Sequence, residues 1–147
     1  VIKEIPQKKY WYPCEETNNE DGTTTLQAVF VDCAGTAIVG RKETSRVCQK
    51  VVDFAVALSE ERGLPLIFWT GGNPYEYEQI FKKDGYGHFQ VFDKPESYNR
   101  QQGKPKDFVT IMIDDIIKEY IAKRCEVIPS EYHCAYDICP EHFREIS

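Results

Sequence analysis

No apolar run in the sequence approaches the roughly 18 residues that a bilayer-spanning helix requires, and no N-terminal stretch combines a charged start with an apolar centre. The expected location is therefore the cytoplasm, for a chain that opens on Val1 rather than a methionine. Positive charge is also scarce. With 18 Lys and Arg against 24 Asp and Glu the formal net charge is -6, which argues against a broad nucleic-acid-binding surface, because phosphate contacts need clustered basic side chains. Internal repeats and low-complexity tracts are absent. A length of 147 residues suits one domain and is short for two. A single domain over 1–147 is expected, with an N-terminal extension over 1–25, a core over 26–124 and a Cys-rich tail over 125–147.

Six cysteines are present, at positions 14, 33, 48, 125, 134 and 139. A chain with this much apolar sequence folds without disulfides, so reduced thiols are the first expectation. Two alternatives remain for the tail: disulfides, or a zinc site from His133, Cys134, Cys139 and His142 with Cys125. The spacing of that cluster matches no standard zinc pattern.

Apolar segments alternate in kind along the chain. The polar stretch 17–25 suits an exposed loop. Segment 26–32 (LQAVFVD) is apolar without interruption at its end, as a strand buried on both faces should be. Over 44–62 the apolar residues recur at helical spacing, and Gly63 stands where a C-terminal cap belongs. Segment 64–69 is a second buried strand, ending at Thr70-Gly71-Gly72. Asn73, Pro74 and Glu76 then mark a helix start, with its end near Lys83. Further strands are expected at 88–92 and 108–113, a helix at 116–124, and a short strand at 126–128. Tyr10, Trp11 and Tyr12 suit a strand or packing cluster. Strands alternating with helices imply an α/β fold, a Rossmann-like parallel sheet with helices on both faces. Ligands bind such sheets beyond the carboxyl ends of the strands. Attention therefore falls on Asp32, Thr70 and Asp114-Asp115, with Lys94, Lys104 and Lys106 in the adjoining loop.

A strand followed by Asp32-Cys33-Ala34-Gly35-Thr36 resembles the first motif of the haloacid dehalogenase superfamily, DxDGT, with Ala34 as a departure. Thr70 at a strand end resembles the second motif. Lys104 in GKPKDFVTIMIDD, or as second choice Lys94 in FDKPES, is similar to the third, and Asp114-Asp115 resemble the fourth. The four follow the family's order. The resemblance implies a small, capless phosphatase in which Asp32 attacks phosphorus and forms an aspartyl-phosphate. Magnesium would be held by Asp32, Asp114, Asp115 and the main-chain carbonyl of Ala34. Thr36, Thr70, Gly71 and Lys104 would hold phosphate, with Thr70 and Lys104 also counted in the catalytic set. The substrate would be a phosphorylated small molecule or a macromolecular phosphoester. The family's phosphatases carry a second aspartate where Ala34 stands, which protonates the leaving oxygen and activates water. Its absence implies weakened or absent turnover, whether Ala34 is engineered or natural.

A DxAGT motif is also similar to that of phosphonoacetaldehyde hydrolases, which need a lysine from a cap domain. Only about 33 residues separate Thr36 from Thr70, with no room for a helical cap. A catalytically inactive phosphate- or protein-binding module is the rival from another class. Other readings are simpler still. Asp32 could cap a turn, and Asp114-Asp115 could stabilise the following helix through its dipole. Cys33 has no arginine close enough for a cysteine-phosphatase cradle. Residues 35–42 (GTAIVGRK) resemble a nucleotide-binding P-loop, but Arg41 takes the lysine position and no Ser or Thr follows Lys42.

Overall fold

A computed structural model of the chain describes residues 8–95, 106–125 and 127–141. The stretch expected to be a plain loop at 17–25 is largely a hairpin. Strand β1 (Glu15–Asn18) runs antiparallel to β2 (Thr24–Asp32), with Glu15 opposite Gln27 and Asn18 opposite Thr24. The Asp21 carboxylate accepts from the Thr23 N–H at 3.0 Å to close the turn, and Gly22 beside it adopts φ 87°, a conformation that costs glycine little. The side chains of β1 are mostly exposed, so the strand carries no apolar signature.

Beyond β2 a second hairpin pairs β3 (Ile38–Val39) with β4 (Arg46–Val47). This pairing takes Val47 out of the expected helix, so α1 covers Gln49–Arg62 rather than 44–62 and ends at Gly63, φ 64°. Next come β5 (Leu66–Thr70), α2 (Pro74–Lys83), β6 (Val91–Asp93) and β7 (Asp107–Asp114). The start of α2 follows the expected cap: the Asn73 side chain accepts from the Tyr75 N–H at 3.1 Å, and Pro74 opens the helix. Instead of a helix over 116–124, the chain makes a 3-10 turn at Lys118–Tyr120 and the four-residue α3 (Ile121–Arg124). The stripe that suggested a longer helix faces outward, since Ile117 and Tyr120 are exposed while Ile121 is buried. The tail contributes more than surface packing. It supplies β8 (Val127–Cys134) and α4 (Ala135–Ile138), whereas Glu126, counted in the expected short strand, lies outside the described residues.

The strands are ordered β6-β5-β2-β7-β8, each neighbouring pair parallel, and β1 joins the first half of β2 antiparallel. The fold is thus α/β with a mostly parallel central sheet. In its middle, β2 pairs through Val29–Asp32 with β5 and from Thr25 to Val31 with β7. On one face Val29, Val31, Phe68 and Ile111 pack with α1 and α2. On the other, Phe30, Ile67, Trp69 and Met112 meet Tyr10, Tyr12 and Ile121. The expected helical cover is therefore uneven: among the described residues, this second face is covered by the aromatic N-terminal segment and the short α3. Tyr12 is fully buried, edge-on to Phe30 and Trp69 at 5.3 and 5.8 Å, and donates its hydroxyl to the main-chain oxygen of Asp93 at 2.6 Å. Among the described residues, no helix is long and apolar enough to cross a membrane.

Asp107 ties the N-terminal segment to the sheet. Its buried carboxylate accepts from the Tyr10 hydroxyl, from the Thr24 N–H at 2.8 Å and from the Lys9 ammonium at 2.6 Å. Burial alone would raise its pKa, but these donors outweigh burial and hold it below the usual carboxylate range. Asp107→Ala should cost about 3 kcal/mol in urea unfolding, the scale for leaving the buried Tyr10 hydroxyl and Thr24 N–H without their acceptor. A depressed native pKa gives stability that is present above the unfolded value of about 4 and lost as pH falls through the native one. The unaltered chain should therefore lose stability in acid more steeply than Asp107→Asn.

Candidate functional site

Parallel strands carry their terminal residues to one edge of the sheet, and here β2 ends in Asp32, β5 in Thr70 and β7 in Asp114. Asp32 and Asp114 are buried, Asp115 is half-buried, and carboxylate oxygens from all three lie within 4.8 Å of one another. Like charges this close, shielded from water, require compensation. The ammonium of Lys94 stands between them, 2.9 Å from Asp32 Oδ1 and 3.6 Å from Asp114 Oδ2. Lys94 follows β6 directly, and its N–H donates to the Thr70 main-chain oxygen at 2.9 Å.

The compensation is incomplete. Burial, and after it the charge of Asp114, push Asp32 up to about 6, against the opposing pull of Lys94 and Thr36. Burial, reinforced by hydrogen bonding with Asp114 and by the charges of Asp32 and Asp114, pushes Asp115 up to about 7. For Lys94 burial disfavours the charged form, but Asp32 and Asp114 outweigh it and raise its pKa. One ammonium does not offset the crowding, since Asp32 and Asp115 stay raised beside it. The site can accept more positive charge.

The turn after β2 shapes the mouth. The Ala37 N–H donates to the Asp32 main-chain oxygen at 3.2 Å and the Ile38 N–H to that of Cys33 at 2.8 Å, which leaves Ala34 exposed. Thr36, expected to touch phosphate, is fully buried and donates its hydroxyl to Asp32 Oδ2 at 3.3 Å, which positions the carboxylate. Thr70 is buried too, its Oγ1 accepting from the Gly72 N–H at 3.0 Å, and Gly71 beside it is exposed with open space around it.

Asp32, Thr36, Asp114 and Asp115 are thus brought together, with Thr70 joined to the group through Lys94. Lys104, the first choice for the third motif, lies outside the described residues. Lys94, the second choice, supplies the ammonium beside Asp32 and Asp114, and the strand-end rule that selects those two points to it as well once β6 is recognised. Among the described residues, the acidic trio is the group placed to hold a metal. All six cysteines are free thiols rather than disulfides, and among the described residues the tail's Cys and His side chains are not gathered at metal-ligating distance; His142 lies outside them. His133 Nε2 is paired with Glu131 at 2.7 Å. Burial and the Asp32 charge push the Cys33 thiol up, away from the thiolate a nucleophile needs. Residues 35–42 form a turn, β3 and the start of a single 3-10 turn (Lys42–Thr44), not a loop opening an α-helix as in a P-loop. No protein family, curated protein or solved structure matches the chain.

Raised carboxyl pKa values reverse the sign seen for Asp107. Between about pH 4 and 7 the native state holds protons that the unfolded chain has released, so metal-free stability should fall as pH rises through that window. Thermal scans in a chelator should show this fall, and Asp115→Asn should flatten it and raise the midpoint at neutral pH by several degrees. The stabilisation produced by millimolar Mg2+ should grow over the same pH interval and shrink in Asp115→Asn.

Proposed function

We propose that the chain is a magnesium-dependent phosphomonoester hydrolase of the haloacid dehalogenase type, with Asp32 as nucleophile and turnover weakened by Ala34. The observation that carries this reading is the trio Asp32, Asp114 and Asp115, gathered around Lys94 at the carboxyl edge of a parallel sheet. An all-oxygen donor set with excess negative charge fits a hard divalent cation. Asp32, Asp114 and Asp115, with the main-chain carbonyl of Ala34, would hold it. When bound, magnesium supplies positive charge that offsets the carboxylates and the phosphate oxygens.

The chain's own residues account for the rest. Thr36 fixes one oxygen of Asp32 and Lys94 the other, so the carboxylate is oriented before substrate arrives. Attack on phosphorus forms the aspartyl-phosphate and releases an alkoxide that needs a proton. Lys94 offsets charge on the transferring group, and Thr70 with the following glycines forms the turn beside it. The exposed methyl of Ala34 can neither protonate the leaving oxygen nor deprotonate the water that clears the intermediate. That same methyl favours the second reading, a binding module that has kept the site and not the chemistry.

Restoring the acid separates the two. Ala34→Asp should raise magnesium-dependent hydrolysis of a chromogenic phosphate ester by roughly 10²–10⁴-fold, and Asp32→Asn in that background should remove it. No gain across a broad phosphate panel, with inorganic phosphate still bound, would leave the binding module.

A further inference from the structure

Arg41 and Lys42 take no part in the chemistry at Asp32, yet the fold presents them with some care. They line a groove of about 550 Å³ between the β3–β4 hairpin and α2, which opens at Ala34 and Gly35 beside the nucleophile. That volume lies within the roughly 300–1,000 Å³ of small-molecule sites. The near end adjoins the turn assigned to phosphate. A Cβ placed on Gly72 would stand 3.6 Å from Thr70 Oγ1 and 3.8 Å from the hydroxyl of Tyr77, which lines the groove.

The two walls are fastened together. The Val47 N–H of the hairpin donates to Asp84 Oδ2 at 2.7 Å, and the Lys83 ammonium donates to the Ser45 main-chain oxygen at 2.7 Å. The loop carrying the cations is equally constrained. The Arg41 N–H donates to Thr44 Oγ1 at 2.9 Å, Thr44 Oγ1 donates back to the Arg41 oxygen at 2.7 Å, and the Ser45 N–H donates to the Lys42 oxygen at 3.1 Å. Gly40, at φ 84°, passes so close to Thr44 that a Cβ there would meet its main-chain oxygen at 2.3 Å. Lys42 itself is left-handed, φ 52°, a conformation unfavourable for a non-glycine residue. One acid, Glu76, faces the two cations from α2, leaving the lining net positive.

We propose that this groove receives the organic part of the phosphorylated ligand, and that Arg41 and Lys42 select ligands bearing a second anionic group, either phosphate or carboxylate. The proposal rests on the phosphate site at Asp32. The test is calorimetric titration of the chain in magnesium with inorganic phosphate, glycerol 3-phosphate, 3-phosphoglycerate and 2,3-bisphosphoglycerate.

The last two should bind about tenfold tighter than glycerol 3-phosphate, the effect of one charge-assisted hydrogen bond at an exposed site. Preference for one of them alone also supports the proposal and names the anion. In Arg41→Gln/Lys42→Asn the affinity ratio should fall to about one; asparagine tolerates the left-handed backbone at 42. Arg41→Gln alone, at an extended position with φ -135°, is the milder variant and should lose about half of the preference on a logarithmic scale. Equal affinity for the three organic phosphates, or a preference that persists in both variants, would overturn the selection by Arg41 and Lys42. Absence of inorganic phosphate binding would overturn the phosphatase reading itself, and this proposal with it.

Discussion

Three carboxyl groups within 4.8 Å of one another, two of them buried, repel, and each element reaching that edge of the sheet offsets part of the repulsion. β6 delivers the Lys94 ammonium, and β5 holds Lys94 in place through the main-chain oxygen of Thr70. The turn after β2 adds the Thr36 hydroxyl. The Asp114 carboxylate accepts the N–H of Asp115 at 2.7 Å, while the main-chain oxygen of Asp114 accepts the Tyr132 hydroxyl of β8 at 3.1 Å. The residual imbalance is the chemically interesting part. A fold optimised for stability alone would place apolar side chains here, because burying unbalanced charge costs several kcal/mol. The imbalance is relieved by a proton on Asp32 or Asp115, or by further positive charge.

Much of this was legible in the sequence because β2, β5 and β7 are buried on both faces, so their apolar runs are continuous and their polar ends conspicuous. Asp32, Thr70 and Asp114 emerge from that contrast. Lys94 stays second to Lys104 there, since β6 has three residues of which only Val91 is buried, and so short a strand marks its end weakly. Only the start of β8 is legible, at 126–128, for a related reason: most of its side chains are half-buried, with Pro129 and the polar Ser130 and Glu131 inside it. Pro129 is tolerated there because β8 lies at the edge of the sheet.

The two hairpins were illegible on other grounds. β1 is exposed, and β3 and β4 have two residues each, below the length at which alternation can be counted. The resemblance of 35–42 to a P-loop reflects glycine at two positions where the backbone turns. In the folded chain, Gly35 at φ 78° and Gly40 at φ 84° shape the turns on either side of β3, and no phosphate-cradling helix follows.

The bond from the Tyr12 hydroxyl to the Asp93 main-chain oxygen joins positions 81 apart, and that from Tyr10 to Asp107 joins positions 97 apart. Asp93 immediately precedes Lys94, so the start of the chain braces the residue that balances the site. Contacts of such span carry a large loop-closure cost and form after local ones. Lys94 reaches β5 through a more local contact, its N–H to the Thr70 oxygen, than the β2–β7 pairing that brings Asp114 beside Asp32, so the ammonium's anchorage precedes the gathering of the acids and the long brace from Tyr12 follows. Order of assembly therefore works in the site's favour: the carboxylates meet an ammonium already held, not one another alone.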